Sequence, residues 1–364
     1  MKTKFLIYSA IIFTFISCEK NSTKISGDIP NLPDGKLVLF EEVWSNKLDS
    51  VEVKDGKFDI ELIFDDKIPH YIGMDLFAKN GDKICFQFPT DSYFNKQKDK
   101  WSSSLFLSDK KIYLKDSIEY IDFGKNSFFP DNIKPVNVII LEAGEQTYAL
   151  QKTNYDLFSR KSNTQNSEIQ NLIKRYPKSF HLLAEMVKNK YTFSSVDVGD
   201  FLKLFDKSVQ AYPHFKELQK YVVDSKKNIN TKLLKLKNSD NQVNEILDKR
   251  YNKHLIILWA SWCMPCRQEI PILKKIVSEN KLSDTEIISI SIDEKESDWQ
   301  KALAAEKMNW KQFILSEKES EKFKIILKYG GAIPYSVLVN SDLKILSSST
   351  GLYDESEMLK MLKK

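Results

Sequence analysis

Two cysteines one helical turn apart, where an apolar run gives way to a helix start, constrain this chain more than any other feature. Leu255-Ile256-Ile257-Leu258 reads as a buried strand, and the chain continues Trp259-Ala260-Ser261-Trp262-Cys263-Met264-Pro265-Cys266-Arg267. This spacing lets the two sulfurs meet as a disulfide or part as a dithiol. Cys263 falls at the helix N-terminus, where unpaired N–H groups and the macrodipole favour a thiolate. Pro265 suits the first turn, because the N–H it lacks would have no helical partner there. By position Cys263 is the nucleophile: it attacks a partner disulfide, a mixed disulfide forms, and Cys266, shielded behind the first turn, displaces the reduced partner. Such an exchange needs no cofactor. The competing reading is half a zinc site, which requires two more Cys or His at suitable spacing. Of the other candidates, Cys18 belongs to the N-terminal signal, Cys85 lies in another domain, and His254 precedes a strand whose far end carries the cysteines. The redox reading is therefore preferred and no metal is expected.

Around this motif the pattern is strand (255–260), helix (264–279), strand (286–292), helix (297–307), a short segment and a helix to 329, strands over 335–339 and 343–347, and a terminal helix. Helices alternating with buried apolar strands predict an α/β sheet. Ser341-Asp342 is too short for a parallel crossover, so the last two strands form an antiparallel hairpin. Ahead of that hairpin stands Gly330-Gly331-Ala332-Ile333-Pro334-Tyr335, a proline opening an apolar strand after a glycine pair, which is consistent with a cis peptide.

Together these residues resemble the thioredoxin superfamily, specifically its TlpA/ResA-like branch of membrane-anchored extracytoplasmic thiol-disulfide oxidoreductases. Trp259 to Pro271 matches that branch's WCxPC followed by Arg-x-Glu-x-Pro. The resemblance covers residues 240–364. It implies a thioredoxin fold, Cys263 and Cys266 as the redox pair, Pro334 as the cis-proline beside it, and Ile333 as a residue pairing its backbone with an extended substrate segment. Trp262, next to the nucleophile, would shape the substrate surface. Thioredoxin itself carries a buried Asp two residues before the first Trp, and this chain has Ile257 there; Glu269 and Asp293 are the nearest replacements, each expected to be a solvated or helix-turn acid. The Pro-Asp-Phe hairpin that precedes the domain in this branch is unrecognisable, which implies a truncated or diverged start.

The chain is 364 residues long, which suggests two or three globular units. Lys2 and Lys4 precede an apolar run over 5–16, the length of a signal-peptide core and too short to span a bilayer. It ends Phe15-Ile16-Ser17-Cys18, which resembles the lipobox of bacterial lipoprotein precursors, and that resemblance implies cleavage after Ser17 and lipidation of Cys18. Residues 1–17 are thus read as signal, 18–24 as tether, 25–130 as a small mainly-β domain, 131–239 as a mainly helical connector, and 240–364 as the thioredoxin-like domain. In the β-domain, Asp55-Gly56 predicts a two-residue hairpin turn with Val51, Val53, Phe58 and Ile60 on one buried face. Asn80-Gly81 predicts a second hairpin. This pattern diffusely resembles the N-terminal β-domain of unassigned activity in Bacteroidetes lipoproteins. Stripes at Ile169, Leu172, Ile173 and Tyr176, at Leu182, Leu183, Met186 and Val187, at Phe201, Leu204 and Phe205, and at Phe215, Leu218, Tyr221 and Val222 predict core-packed helices.

Lys and Arg total 55 against 50 acids, with the signs interspersed, which gives no nucleic-acid footprint. Cys85 reads as a buried strand thiol without a cysteine partner in its domain. His70, His181 and His214 have no companions at ligand spacing and are assigned no role, while Tyr329 and Tyr335 are expected to border the site. The resulting expectation is a lipid-anchored, periplasm-facing oxidoreductase of the bacterial envelope. It would reduce disulfides of specific envelope proteins and be recharged by a membrane electron donor. The alternatives are a disulfide oxidase or isomerase, or an envelope binding protein using the thioredoxin fold as a scaffold.

Overall fold

A computed structural model describes residues 21–42, 46–94, 99–122, 130–159, 164–227, 234–279, 281–282, 284–351 and 354–363. Residues 1–17, read as signal, and Cys18 lie outside the described residues. The chain divides into two units, Met1–Tyr155 with Lys178–His181, and Asp156–Pro177 with Leu182–Lys364. Among the described residues no helix is long and apolar enough to cross a membrane.

The first unit is built on strands β1 (Asn21–Asp28), β2 (Gly35–Glu41), β3 (Asn46–Val53), β4 (Lys57–Phe64), β5 (Tyr71–Ala78), β6 (Lys83–Phe94), β7 (Asp99–Ser103), β8 (Phe106–Leu107), β9 (Lys111–Tyr120) and β10 (Ile133–Glu142). They run in the order β3-β2-β5-β6-β10-β9-β1-β4, with β7 on β6 and β8 on β5. The two-residue period of a strand decides which side chains go inward. In β4, Phe58, Ile60, Leu62 and Phe64 are buried and alternate with exposed Lys57, Asp59, Glu61 and Ile63. Burial of each such apolar side chain contributes about 1.5–3 kcal/mol, and Phe86, Phe88 and Phe106 extend the same core. α1 (Glu145–Lys152) follows, and the Asp109 carboxylate accepts the N–H groups of Gln146 and Thr147 in its first turn at 3.1 and 2.9 Å.

Both predicted turns form, but only the second carries the expected ladder. Asp55 and Gly56 take φ of 52° and 73°, and Lys54 and Lys57 exchange backbone bonds of 3.1 and 2.9 Å. Val53, Phe58 and Ile60 join one core, with Val51 partly buried beside them. Beyond that bridge β3 pairs with β2 and β4 with β1. The end of β1 is wedged against the turn: Ile29 N–H bonds to Gly56 carbonyl at 2.9 Å, and a Cβ on Gly56 would lie 2.2 Å from the Ile29 carbonyl oxygen. At Asn80-Gly81 the hairpin is regular, with Asp75, Leu76 and Phe77 of β5 opposite Cys85, Ile84 and Lys83 of β6.

Two sequence boundaries shift. Residues 21–24, read as tether, belong to β1, where Thr23 is fully buried and the backbone pairs with β4 and β9. The ladder and the apolar face of β4 hold them, and Lys24 meets Asp59 at 3.1 Å. The stretch read as connector from 131 begins with β10, which lies between β6 and β9 with Val136 and Val138 buried. Pro135 interrupts the alternation in the sequence, and the strand continues through it.

In the second unit, α2 (Gln165–Arg175), α3 (Phe180–Asn189, from Leu182 within this unit), α4 (Ser195–Leu202) and α5 (Pro213–Lys227) bury the expected stripes, among them Ile169, Ile173, Met186, Phe201, Leu218 and Tyr221. Then come β11 (Lys235–Asn238), β12 (Val243–Glu245), β13 (Lys253–Trp259), α6 (Met264–Ser278), β14 (Thr285–Ser291), α7 (Glu296–Glu306), β15 (Lys311–Ile314), α8 (Glu317–Leu327), β16 (Tyr335–Asn340), β17 (Ile345–Thr350) and α9 (Glu355–Leu362). The sheet order is β12-β11-β15-β14-β13-β16-β17. β13, β14 and β15 are parallel, and β16 and β17 are antiparallel to their neighbours.

Central β13 is buried on both faces, as a parallel strand between helical layers must be. Ile256 and Leu258 pack with Phe323 and Leu327 of α8, whereas Leu255 and Ile257 pack with Leu273 and Ile276 of α6 and Met358 and Met361 of α9. This is a thioredoxin-like domain preceded by a strand-rich domain and helices. A hairpin does precede β13: β11 pairs with β12 and with β15. It is illegible in the sequence because it is an edge hairpin with few buried side chains, Leu236 chief among them.

Candidate active site

The register of the sheet delivers the two motifs to one end of it. β13 ends at Trp259 and the chain turns through Ala260 to Trp262 into α6, while Leu258 lies opposite Tyr335, the first residue of β16. The Ile333–Pro334 peptide that precedes β16 is cis, and Ile333 packs against the cluster that holds Cys263 and Cys266.

Cys263 is the N-cap residue of α6, and its sulfur accepts the backbone N–H of Cys266 at 3.2 Å. A sulfur therefore occupies the place where a serine or aspartate oxygen commonly satisfies a free helical N–H, and the same dipole that favours anions there favours a thiolate. The two cysteines are joined as a disulfide with Cα atoms 5.3 Å apart. Their side chains are nearly covered, at 4% and 3% exposure, by Trp259, Ile270, Trp299 and Ala302. Trp262 and Met264, on either side of Cys263, are exposed at 67% and 64%. A shielded disulfide is thus flanked at Cys263 by two exposed apolar side chains. Trp259 is a core residue and Trp262 a surface one, a difference that their shared residue type conceals.

The two carboxylates read as solvated or helix-turn acids are both buried. Asp293, 4% exposed, accepts the N–H of Ser261 at 2.9 Å, the Ser261 hydroxyl at 2.7 Å and the Ser291 hydroxyl at 2.6 Å. It anchors the loop that leads into Cys263, and these bonds offset the cost of removing its charge from water. Glu269 is 1% exposed. It lies three residues after Cys266 and one before Ile270, on the same helical face as Leu273, and that position outweighs the usual solvation of a carboxylate. Ile257, at the position of thioredoxin's buried Asp, is 3% exposed and packs with α6 and α9.

Tyr329 and Tyr335 brace the proline loop from behind rather than border the site. Their hydroxyls donate to the carbonyls of Gly331 at 2.7 Å and Leu327 at 2.6 Å, and their rings lie 5.4 Å apart. Burial pushes the Tyr329 hydroxyl up to about 12. Gly331 takes φ of 102°, a conformation that favours glycine.

Residues the sequence left without a role prove to be engaged. His70 lies between Glu41 at 2.6 Å and Asp66 at 2.9 Å, stacked on Phe64. Asp66 at four residues' spacing is a readable signal; Glu41 is brought in by the sheet. His181 accepts or donates at 2.8 Å with Tyr71. His254 is fully buried on β13 with Nδ1 2.7 Å from Glu286 and is committed there, away from the cysteines. Among the described residues no group of three or more His, Cys, Asp or Glu is arranged to hold a metal.

Cys85 is a free, half-buried thiol on β6 opposite Asp75. Burial chiefly, and then the Asp75 charge, push it up to about 12. At about pH 8 its thiolate fraction would be on the order of 10⁻⁴. In reduced, native protein iodoacetamide is expected to leave Cys85 unlabelled while the active-site thiols react, as read by peptide mass spectrometry. Prompt labelling of Cys85 before unfolding would contradict this environment.

Residues 252–345 match a family model described as thioredoxin-like. The chain is similar to the thiol-disulfide oxidoreductase ResA of Bacillus thuringiensis subsp. konkukian (strain 97-27), at 26% identity over 129 residues, with 33% of this chain and 67% of that protein covered. A 44-residue stretch is 39% identical to the thioredoxin-like protein YneN of Bacillus subtilis (strain 168), covering 12% of this chain and 26% of that one. Among solved structures, the thioredoxin domain of a thiol-disulfide oxidoreductase from Bacteroides vulgatus aligns with a TM-score of 0.31 at 23% identity, covering 35% of this chain and 90% of that chain.

Proposed function

From a C-terminal domain that is thioredoxin-like and of the thiol-disulfide oxidoreductase class, we propose that this protein is an extracytoplasmic, lipid-anchored reductase of disulfides in specific envelope proteins. The observation that carries the reading is the position of Cys263: a sulfur at the N-cap of α6, accepting a helical N–H and bonded to its partner one turn on. In the reduced protein the Cys263 thiolate attacks one sulfur of a substrate disulfide. A Cys263–substrate bond forms as the substrate S–S bond breaks, and the substrate's other sulfur leaves as a thiolate. Cys266 then loses its proton and attacks Cys263 Sγ, which releases the second substrate thiolate and closes the Cys263–Cys266 disulfide. Two electrons have passed to the substrate, and a membrane electron donor restores the dithiol.

Ile333 and Pro334 align the substrate backbone, and Trp262 supplies an apolar surface next to the attacked sulfur. Of the two buried carboxylates, Asp293 is occupied in holding Ser261 and Ser291. Glu269, one turn beyond Cys266 on the same covered face of α6, is assigned the proton of Cys266 on the ground of that position. Anchoring through Cys18 keeps the domain at the membrane where its donor resides.

The test is a Cys266→Ala trap. With the resolving sulfur removed, the mixed disulfide on Cys263 is expected to persist, and mass spectrometry of envelope extracts should recover a small set of disulfide-containing partners released by reductant. Recovery of the same partners by a Cys263→Ala, Cys266→Ala double variant would show that the capture does not run through Cys263.

A further inference from the structure

Beside the redox pair, at the ends of β14 and β15 and the starts of α7 and α8, lies a cavity of about 870 Å³. Its walls include apolar Val243, Ile292, Ile314 and Leu315. Ile292 and Ile314 also pack against the cluster that holds Cys263 and Cys266, and Ile292 N–H bonds to Trp259 carbonyl at 2.9 Å. Asp293 forms another part of the wall and at the same time holds Ser261, two residues from Cys263. Ile292, Ile314 and Asp293 are thus shared between the cavity wall and the surroundings of the redox pair.

Its charged lining is predominantly acidic. Asp293, Glu294, Glu296, Glu317 and Glu319 contribute five carboxylates against the single cation Lys237, which is paired with Glu296 at 2.7 Å. The N-termini of α7 and α8 each add about half a positive charge, so the helix starts and Lys237 together neutralise about two of the five. Three of these acids have local duties: Asp293 on the loop, Glu296 with Lys237, and Glu319 capping α8 with Ser316. Glu294 and Glu317 are exposed on the rim. A groove with apolar walls and a net negative rim attracts a cation carried on an aliphatic stem, since the stem covers apolar surface while the charge meets the carboxylates.

We propose that this groove selects substrates, seating a lysine- or arginine-bearing segment of the partner protein so that its neighbouring disulfide faces Cys263. This rests on the oxidoreductase reading above. Glu294 and Glu317 are then specificity-determining residues, and acidic segments are excluded.

The probes are two fluorescent peptides of equal length with serine in place of cysteine, one flanked by lysines and apolar residues, the other by glutamates. Fluorescence anisotropy with the full chain is expected to show the basic peptide binding at least tenfold more tightly at about 0.05 M salt, the preference shrinking severalfold at about 0.5 M. A Glu294→Lys, Glu317→Lys double variant should erase or invert it, with an unchanged thermal midpoint as the control for folding. Equal binding of the two peptides, tighter binding of the acidic one, or an undiminished preference in the double variant would each overturn the groove. Insulin-disulfide reduction by the wild-type chain is read in parallel: its absence removes the oxidoreductase reading, whereas its presence with equal peptide binding removes the groove alone.

Discussion

Replacing Cys263 with serine is expected to abolish insulin-disulfide reduction, lowering the rate by roughly 10³-fold or more to the uncatalysed background. The size of the effect follows from what the position supplies. A hydroxyl at the N-cap of α6 would still accept the Cys266 N–H, so the helix start keeps its bond and the variant should fold. It would not ionise near neutral pH, and oxygen cannot form the S–S bond on which exchange depends. Cys266→Ser should behave differently: attack by Cys263 survives, a mixed disulfide accumulates, and multiple turnover falls unless an external thiol releases the product. A burst of one substrate equivalent per protein, followed by arrest, separates the two variants. If Cys263→Ser retained the wild-type rate, the thioredoxin-like domain would be a scaffold and the groove beside it would need another explanation.

Local chemistry made some of this structure legible and long-range pairing hid the rest. The strand-turn-helix around Cys263 is readable because its signals lie within a few residues: four apolar residues, a cap position, and a proline in the first turn of α6. The Asp55-Gly56 turn is likewise local, but which strand each arm pairs with is decided by β1 and β2, distant in sequence, and the alternation of Phe58 and Ile60 fits either outcome. β11 and β12 carry so few apolar residues that only their partner β15 reveals them, and β15 itself spans four residues. Glu269 shows a different failure. The helical period places it on the covered face beside Ile270, and that placement outweighs the general preference of carboxylates for water. Asp293 is legible only in part: Ser291 lies two residues before it, but Ser261, beyond the end of β13, meets it only in the folded sheet.

The second large effect is expected at the opposite end of β13, about 17 Å from Trp259 by strand rise. His254 is fully buried and Glu286 is 7% exposed. The carboxylate of Glu286 meets His254 Nδ1 at 2.7 Å, Lys311 Nζ at 2.7 Å and the N–H of Asp248 at 2.9 Å. Burial pushes the Glu286 carboxyl upward, but the hydrogen bonds from His254, Lys311 and Asp248 outweigh it and hold the group below its ordinary 4.5. Removing the carboxylate leaves fully buried His254 without its partner, whereas Lys311, 37% exposed, can turn to water, so the loss falls at the lower end of the about 3–5 kcal/mol typical of a fully buried pair. Glu286→Ala should lower the stability of the second unit by about that amount in urea titrations followed by tryptophan fluorescence, and Glu286→Gln, which keeps the shape, by less. The pH dependence has a defined sign. Because the folded-state carboxyl is more acidic than the unfolded one, its contribution is complete above the unfolded value near 4.5 and is lost as pH falls through the folded value. The gap between wild type and Glu286→Gln should therefore be widest near neutral pH and narrow progressively below about 4.5. Since the cluster lies at the far end of the strand from Cys263, the rate at which the active-site thiol is alkylated should not change with either variant. A gap that stays constant down to strongly acid pH would mean that the ionised carboxylate contributes nothing beyond its shape.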